Sequence, residues 1–533
     1  MPLNFVHTVE RVVDDLLDSS PTVALWAGDH RADDRLADFS PDGVRAQITR
    51  LKEDSHTLSE IDADDLAGEE AVDLELLQST VDSQLFALSE LREHEWNPLL
   101  HIPGFLLNSL LLRPSAPAVD RLGSVVARLS ALPDALATAD VVLADCPHVH
   151  VTTALSQWDG TAALIRDQVP RLAAEAGQPH RADDAIEQAL AAVERHRGTL
   201  RRLAEETGRS ARLGDRLWEA KLWHSLDSPR SAADLYAAAE AALARVSAEI
   251  VEVSAQLIGK PDPRAALDAL SQQRPDDDTM VPEFERAMAE VTAFVREHDL
   301  VTMVDDPYEI LVMPEFARGV AGAYCDSPGP LEQAAVPTFL AVSPAPPHWS
   351  PDRVTSYYRE LNNHMVRNLA VHEAMPGHYL QLAHAGRFAG PTRARAVCGS
   401  GTFIEGWAVY AEELMAGAGY GGLAVRMQHL KMALRMIINT IIDRRVHCED
   451  MAEEEALALM MDRGFQEEGE AVAKWQRALL TSTQLSTYFS GYTDVSAIAA
   501  ARPATTSVRD WHDQMLAHGS PPPRHLATLL GLH

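Results

Sequence analysis

Apolar residues recur at intervals of three and four along most of this chain, the spacing that predicts amphipathic helices. In residues 4–20 this pattern places five side chains on one helix face: Val9, Val12, Val13, Leu16 and Leu17. Ser40 and Pro41 predict the start of the next helix, because serine caps a helix N-terminus and proline is tolerated in the first turn. Two long helices are expected between residues 41 and 110, with a break at Asn97-Pro98.

Sequence rich in Ala, Leu, Glu and Arg continues the helical spacing from residue 118 to residue 260. Four prolines in it are expected at or near helix ends, because proline removes a backbone donor and clashes with the preceding turn. These are Pro133, Pro147, Pro170 and Pro179. A long helix is predicted over 230–258. No repeat of fixed period is apparent, which disfavours a solenoid.

The pattern changes at residue 300, where short runs of β-branched and aromatic residues lie between prolines and glycines. These runs predict a small sheet of two to four strands within residues 300–345, and helical spacing returns after it. We therefore expect a mainly α, multi-helical fold with a small β-sheet next to the helix that follows. An N-terminal helical region (1–275) and a catalytic region (276–533) are expected to form one continuous unit.

Composition and charge exclude several classes of partner. Hydrophobic residues make up 46% of the chain and charged residues 23%, as in ordinary globular proteins. The formal net charge of −32 argues against nucleic acids and anionic membranes, which bind clustered Lys and Arg. Four scattered cysteines without a CxxC pair predict reduced thiols. The N-terminus lacks the apolar run of a signal peptide, and no stretch is apolar enough to span a membrane, so we expect a cytoplasmic protein.

The strongest chemical signal lies in residues 362–381, which read NNHMVRNLAVHEAMPGHYLQ. His372 and Glu373 begin a pattern similar to H-E-x-x-H, in which two histidines bind zinc and the glutamate is the general base. Here the second histidine, His378, comes six residues after the first, about 240° around a regular helix. Pro376-Gly377 lies between them and predicts a kink that returns His378 to the metal. The alternative is a helix that ends before this proline, followed by a turn and a surface histidine.

A catalytic zinc site takes three protein ligands and an open position for water. Glu405, in the helical segment GTFIEGWAVYAEEL, is the best third ligand, because its apolar surroundings disfavour a plain surface position. Glu412 shares its helix face, so one carboxylate could bind metal while the other accepts a hydrogen bond from a ligating histidine. Ligation by two histidines and a glutamate favours Zn²⁺, although imidazole suits several metals.

Together, H-E-x-x-P-G-H at 372–378 and E-G-W-A-x-Y-x-E at 405–412 resemble a bacterial domain-of-unknown-function family, number 885, grouped with the gluzincin metallopeptidases. The second segment is also similar to N-E-G-F-A-x-Y-x-E of the zinc aminopeptidases, in which the first glutamate binds metal. Weaker similarities are ALWAGDH near the N-terminus, MPEFARG at Met313–Gly319, DRRVH at Asp443–His447 and WHDQMLAHGSPP near the C-terminus.

The resemblance implies a metallopeptidase-like fold with Glu373 as general base. It implies three zinc ligands: His372, His378 and Glu405. Many family members have a second histidine where this chain has Tyr379, which leaves His378 as the ligand candidate here. The family's P-G-Q stretch before a helical tyrosine reads STQLSTY in this chain and ends at Tyr488.

These groups suit metal-assisted hydrolysis of an amide bond. Bound zinc lowers the pKa of its water toward ~7 and polarises the scissile carbonyl. Glu373 accepts the water proton and passes it to the leaving amine. The oxyanion needs a further donor, for which His447, Tyr488 and Tyr492 are candidates. Asp443 could orient His447, although a structural role in the core is an equal alternative for this histidine.

Arg435 and Arg444 could bind a substrate carboxylate, but such residues more often pair with carboxylates of the protein. His364 and His384 are less favoured as ligands. Each is expected beside the site or on the surface.

The leading prediction is a zinc-dependent peptidase that cleaves short peptides. A zinc amidase acting on a non-peptide metabolite is the second hypothesis, since Glu373 and zinc would cleave either amide. A non-catalytic helical binding protein is the third, and the presence of a general base argues against it. The expected partner is a peptide or a small amide substrate, with no nucleic acid and no membrane, and the oligomeric state is open.

Overall fold

The computed structural model describes residues 5–66, 68–313, 322–347 and 349–532. Within these ranges the chain is mainly helical and contains a three-stranded sheet, which confirms the predicted fold class. The MPEFARG similarity, apart from Met313, lies outside the described residues.

The helices before the sheet are α1 (Phe5–Ser19), α2 (Pro21–Ala27), α3 (Pro41–Ser59), α4 (Glu69–Phe86), α5 (Glu93–Trp96), α6 (Gly104–Leu112), α7 (Ala118–Val142), α8 (His148–Glu175), α9 (Asp183–Glu205), α10 (Asp215–Leu226), α11 (Ala232–Ile258), α12 (Pro263–Leu270) and α13 (Met280–Glu297). The strands are β1 (Tyr308–Val312), β2 (Ala323–Asp326) and β3 (Thr338–Val342). The helices after the sheet are α14 (Pro351–Glu360), α15 (Asn363–Glu373), α16 (His378–Ala385), α17 (Ala394–Val397), α18 (Gly401–Gly417), α19 (Gly422–Cys448), α20 (Glu453–Ala458), α21 (Glu468–Leu480), α22 (Thr487–Ala500), α23 (Val508–Leu516) and α24 (Pro523–Leu529).

Local signals in the sequence correctly placed several helix starts. The Ser40 hydroxyl accepts a hydrogen bond from the Gly43 N–H at the start of α3, and Ser231 does the same for Asp234 in α11. Each cap satisfies a backbone donor that has no partner inside its helix. The apolar face predicted for the first helix is buried in α1, with side chains such as Val9 and Leu17 fully enclosed.

Two of the predicted helix ends are wrong. Pro133 lies inside α7 and Pro170 lies inside α8. Proline costs about 3 kcal/mol in a helix interior, but burying one large aliphatic side chain stabilises by about 1.5–3 kcal/mol. Leu132 and Leu136 are buried beside Pro133, and comparable residues flank Pro170. Tertiary packing therefore carries both helices through their prolines.

The chain divides into two compact units. The first comprises residues 1–211, 328–336 and 389–398. Its core is formed by α7, α8 and α9, which pack against one another through buried residues that include Leu129, Trp158 and Val193.

The second unit comprises residues 212–327, 337–388 and 399–533 and contains every residue of the predicted metal site. Residues 212–275, which the sequence analysis grouped with the N-terminal helices, belong to this unit. Its longest helices, α11 and α19, pack against each other, and α19 also packs against α15, α18 and α22. One core cluster joins α13, α15, α18 and the sheet, and another joins α10, α11, α19 and α21.

The sheet lies against the helix that carries the first metal-site residues. Strand order is β1-β3-β2, with β1 parallel and β2 antiparallel to β3. β3 is buried along its whole length, as expected for the central strand, whereas β2 packs against α15. This arrangement brings backbone groups of an outer strand to the C-terminal end of α15.

Two glycines allow α18 and α22 to approach each other closely. A Cβ on Gly406 would overlap the backbone of Gly491, and a Cβ on Gly491 would overlap the carbonyl oxygen of Thr402. Small residues at such a crossing let helix backbones come nearer than larger side chains permit. The crossing fixes α18, which carries Glu405, against α22, which carries Tyr488.

Candidate metal centre

A break between two helices brings His378 back toward His372. α15 ends at Glu373 and α16 begins at His378. The Gly377 N–H donates to the carbonyl oxygen of Val371, so the chain folds back over the last turn of α15. A Cβ on Gly377 would overlap the carbonyl oxygens of Val371 and His372, so only glycine fits this turn.

Trp407 of α18 holds this turn in place. Its indole is fully buried, and its Nε1–H donates to the carbonyl oxygen of Pro376 over 2.8 Å. The same helix therefore anchors the break and, two residues earlier, presents Glu405.

Three side chains from three helices converge beside the break. Glu405 Oε2 lies 3.6 Å from His372 Nε2 and 3.6 Å from His378 Nε2. The two imidazoles, which a straight helix would point apart, have ring centroids 4.7 Å apart and planes at 84°. One ligand atom from each of the three residues lies within 4.8 Å of the other two.

This geometry fits a divalent ion. A distance of 3.6 Å is too long for a hydrogen bond, and Glu405 Oε2 is buried without a hydrogen-bond partner among the described residues. Ligand atoms around a tetrahedral ion with bonds of about 2.0–2.2 Å lie roughly 3.3–3.6 Å from one another. Two imidazoles and one carboxylate form the donor set of many catalytic zinc sites.

The electrostatics of the cluster favour a charged carboxylate. Burial alone would raise the pKa of Glu405, but His372 and His378 hold that pKa well below its ordinary value. Burial lowers the pKa of His372, yet Glu405 and Glu412 outweigh it and raise that pKa well above its usual range. The carboxylate is thus stabilised by positive charge at the place where a metal ion would supply it.

Glu412 fixes the orientation of His372. Its carboxylate accepts from His372 Nδ1–H over 2.8 Å and from the Asn368 side-chain amide over 2.6 Å. The bond to Nδ1 leaves Nε2 facing Glu405. Glu412 is 2% exposed and so does not lie on the surface, and its carboxylate is placed to hold the His372 imidazole in one orientation.

Glu373 lies between the cluster and the sheet. It is buried at the end of α15, and the backbone N–H of Cys325 in β2 donates to its carboxylate. Burial raises the pKa of Glu373, although His372 and His378 act against that shift. A carboxylate whose pKa is raised toward neutrality is suited to accept and return a proton.

Tyr488 of α22 is close to Glu405. After burial, the charge of Glu405 is the largest contribution to the raised pKa of the Tyr488 phenol. The phenol oxygen accepts from Arg477 over 3.2 Å and from the Gln484 amide over 3.3 Å. Because both neighbours donate, the phenol proton is available for an acceptor near the cluster.

His447 is held within the fold. Its Nε2–H donates to the carbonyl oxygen of Ala478 over 2.9 Å, and its Nδ1 accepts from the Leu213 N–H. Asp443 accepts from the Trp218 indole and from the Ser486 hydroxyl. The structural role set beside the catalytic one in the sequence analysis therefore accounts for both nitrogens of this histidine.

The remaining candidates have partners of their own. The Tyr492 hydroxyl donates to Glu413, Arg435 pairs with Glu470, and His384 Nε2 donates to the Thr302 carbonyl. Arg444 lies 3.6 Å from Glu449 and over the ring of Tyr236. His364 lies in the first turn of α15, away from the end that carries His372.

Sequence reasoning missed Asn368 and Trp407. Asn368 lies one turn before His372 and is 2% exposed, so a polar residue in the buried stripe of α15 was the available signal. Trp407 belongs to the E-G-W motif, but its bond to Pro376 joins segments that are distant in sequence.

The sequence profile of one family matches residues 21–530. The chain belongs to the DUF885 family, described as bacterial proteins of unknown function. A comparison with curated proteins finds no match.

Two solved structures are similar over nearly the whole chain. The first is a "putative lipoprotein of unknown function" from Shewanella oneidensis, with 27% identity, a TM-score of 0.81 and 99% of both chains covered. The second, a "putative lipoprotein" from Colwellia psychrerythraea, has 16% identity and a TM-score of 0.80, covering 99% of this chain and 98% of that one. The second likeness supports the fold alone. Of the helices described in the present chain, none has both the length and the low polarity that crossing a bilayer requires.

Proposed function

We propose that this protein is a zinc-dependent hydrolase that cleaves amide bonds of short peptides. The proposal rests on one observation: the imidazoles of His372 and His378 converge on Glu405 Oε2. This oxygen is buried and has no hydrogen bond among the described residues. His372, His378 and Glu405 would hold the metal, and Glu412 would keep the His372 imidazole in place.

Zinc, when bound, supplies an acidified water and polarises a carbonyl. Glu373 would accept a proton from the attacking water and return it to the leaving nitrogen. The C–N bond breaks, the hydroxyl stays on the acyl carbon, and the amine leaves with the proton. Burial suits Glu373 to this exchange, because it raises the pKa of the carboxyl.

Tyr488 supplies the donor for the oxyanion. Arg477 and Gln484 donate to its oxygen, which orients the phenol and leaves its proton for the substrate. A hydrogen bond of this kind stabilises developing negative charge more than it stabilises the neutral carbonyl.

The enclosed setting supports short peptides as substrates. Glu373 and His378 are each 8% exposed. The peptide bond to be cleaved must reach these two buried side chains, which a bond on the surface of a folded protein cannot do.

Metal analysis combined with two substitutions tests the proposal. We expect about one zinc per chain in protein purified without added metal, and loss of that zinc in His378→Ala. Glu373→Gln should keep zinc and lower peptide hydrolysis by about 10²–10⁴-fold, the usual contribution of a general base. Glu297→Gln, on the exposed end of α13, is the matched control and should behave as wild type. Full activity in Glu373→Gln, or an unchanged zinc content in His378→Ala, would contradict the mechanism.

We also propose a cytoplasmic location, supported by four cysteines that are all free thiols. Two similar structures carry lipoprotein names. Recovery of the native protein in the membrane fraction of its own host would contradict the proposal.

A further inference from the structure

Two basic side chains of α21 have no acidic partner among the described residues. Lys474 of α21 is 4% exposed, and among the described residues no carboxylate lies within ion-pair distance of it. Arg477 lies one turn further along α21. It donates to Gln484 and Tyr488, and it likewise has no described carboxylate at ion-pair distance.

The surrounding charges leave a positive excess at this place. Lys431 donates to Glu360 over 2.7 Å, and Arg435 pairs with Glu470. These pairs use Glu470 and Glu360, the carboxylates with the largest effect on the pKa of Lys474, and Arg435 and Arg477 act against them. An excess of buried positive charge is unexpected in a chain with a net charge of −32.

Such an arrangement is unfavourable without an anion. A buried ammonium group without a partner is unfavourable, and here burial and then Arg435 lower the pKa of Lys474 well below its ordinary value. A bound carboxylate would offset that cost by pairing with both basic groups. Proteins keep such unpaired buried charges chiefly at functional sites.

We propose that Lys474 and Arg477 bind the C-terminal carboxylate of the peptide substrate, which makes this protein a carboxypeptidase that releases one or two residues. The inference rests on the proposed function. Arg477 is one hydrogen bond from the Tyr488 phenol, and Tyr488 lies beside Glu405. The Arg477 guanidinium lies 3.2 Å from the Tyr488 oxygen, a separation that one residue of about 3.3–3.6 Å can span.

A second polar region is less suited to this role. A cavity of about 310 Å³ is lined by residues that include Arg359, Lys431 and Gln466. Arg359 pairs with Asp268 and Glu467 and Lys431 pairs with Glu360, whereas the third cation, Arg264, is exposed and donates to the Met461 carbonyl oxygen. The lining holds three carboxylates beside its three cations, so this cavity has no excess positive charge to offer a substrate carboxylate.

Three peptides distinguish a terminal carboxylate from an acidic side chain. They are acetyl-tetra-alanine with a free carboxylate, its C-terminal amide, and acetyl-Ala-Ala-Ala-Glu amide. We expect the zinc-loaded enzyme to cleave the free carboxylate with a kcat/KM about 10- to 100-fold above that of either amide, as for loss of a charge-assisted hydrogen bond. Equal values for the first two peptides, or equal values for the free carboxylate and the glutamate amide, overturn the assignment.

Variants assign the preference to these residues. Lys474→Met should reduce the preference for the free carboxylate to about threefold or less, and Arg477→Gln should reduce that preference as well. Lys52→Met, on the exposed face of α3, should keep the full preference. A preference that survives in both Lys474→Met and Arg477→Gln overturns the proposal. The melting temperature of Lys474→Met should equal or exceed that of wild type, because the substitution removes an unpaired buried charge.

A binding measurement separates this inference from the proposed chemistry. Calorimetry on Glu373→Gln should show the free-carboxylate peptide binding about tenfold more tightly than its amide, and the Glu373→Gln/Lys474→Met double variant should lose the difference. If wild type hydrolyses none of the peptides but this difference is present, the proposed function fails and the carboxylate site stands. If no difference is present, the carboxylate site fails.

Discussion

Among the histidine–carboxylate groups of the described residues, one group from each unit makes a useful comparison, because the two have opposite character. In the first unit His30 is hydrogen-bonded to Asp33 over 2.8 Å and to Glu332 over 3.0 Å. In the second unit His372 and His378 each lie 3.6 Å from Glu405. Both groups combine imidazole with carboxylate. In the first, which we call the closed group, the two are hydrogen-bonded to each other; in the second, the open cluster, they lie too far apart for a hydrogen bond.

The difference shows what turns such a group into a candidate metal centre. His30 is 39% exposed, and its ring nitrogens both have partners in the protein. At the open cluster the donor atoms converge without bonding, in a setting built by Gly377, Trp407 and Glu412. Residue types alone do not separate the two groups, whereas donor distances and supporting contacts do.

The largest expected effect comes from disrupting the turn at Gly377, which brings His378 to the candidate metal centre. In Gly377→Ala the new Cβ would overlap the carbonyl oxygens of Val371 and His372 and displace His378. We expect zinc affinity to fall at least 100-fold, because a ligand is lost rather than merely misoriented. Elemental analysis after dialysis measures this. Gly417→Ala, at a position with open space around it, should keep zinc, and full occupancy in Gly377→Ala would remove the reason for treating the cluster as preorganised.

Tyr488→Phe tests whether the open cluster has a catalytic neighbour. Loss of the phenol proton should lower kcat by about 10²–10³-fold, as for other oxyanion donors. The zinc content should not change, because Tyr488 is not a ligand. Tyr492→Phe is the matched control, since its hydroxyl is bonded to Glu413. Equal losses of kcat in the two variants would argue against the assigned donor.

Glu412→Gln tests the support of His372. The amide keeps the size of the side chain but weakens the bond to Nδ1–H, so we expect zinc affinity to fall by about 10- to 100-fold. Competition with a chromogenic chelator gives the affinity. Glu413→Gln, the next residue on α18, should leave it within about twofold of wild type, and a similar loss in both variants would mean a general disturbance of the helix.

The smallest expected effect concerns the closed group around His30 and is a change in the free energy of unfolding. The hydrogen bond to Asp33, followed by the contacts to Glu332, raises the pKa of His30 to about 9. Its stabilisation is therefore fully present below the ordinary pKa of 6.5 and is lost as the pH rises through about 9. Exposure and screening limit it to about 1 kcal/mol. Urea unfolding of His30→Gln should differ from wild type at pH 6 and match it at pH 10, with or without zinc; a difference that grows with pH would contradict this assignment.

Helix starts were predictable because their causes are local. Ser40, Ser231 and Ser400 each cap the helix that begins beside them, and the signal lies within four residues of its effect. Pro133 and Pro170 were misjudged because packing by residues distant in sequence outweighs their local cost.

The sequence by itself determined the mainly α fold, the small sheet and the identity of His372, Glu373, His378 and Glu405 as a candidate set. Motif spacing contains that information, since the Pro-Gly pair between the histidines signals a break. Only the tertiary structure decided which other side chains orient these four residues or lie near them. Glu412 orients His372, Tyr488 lies beside Glu405, and Lys474 is left without an acid, because each depends on which helices cross and at what distance. Close helix crossings such as that of Gly406 and Gly491 set those distances, and they join residues that no local pattern connects.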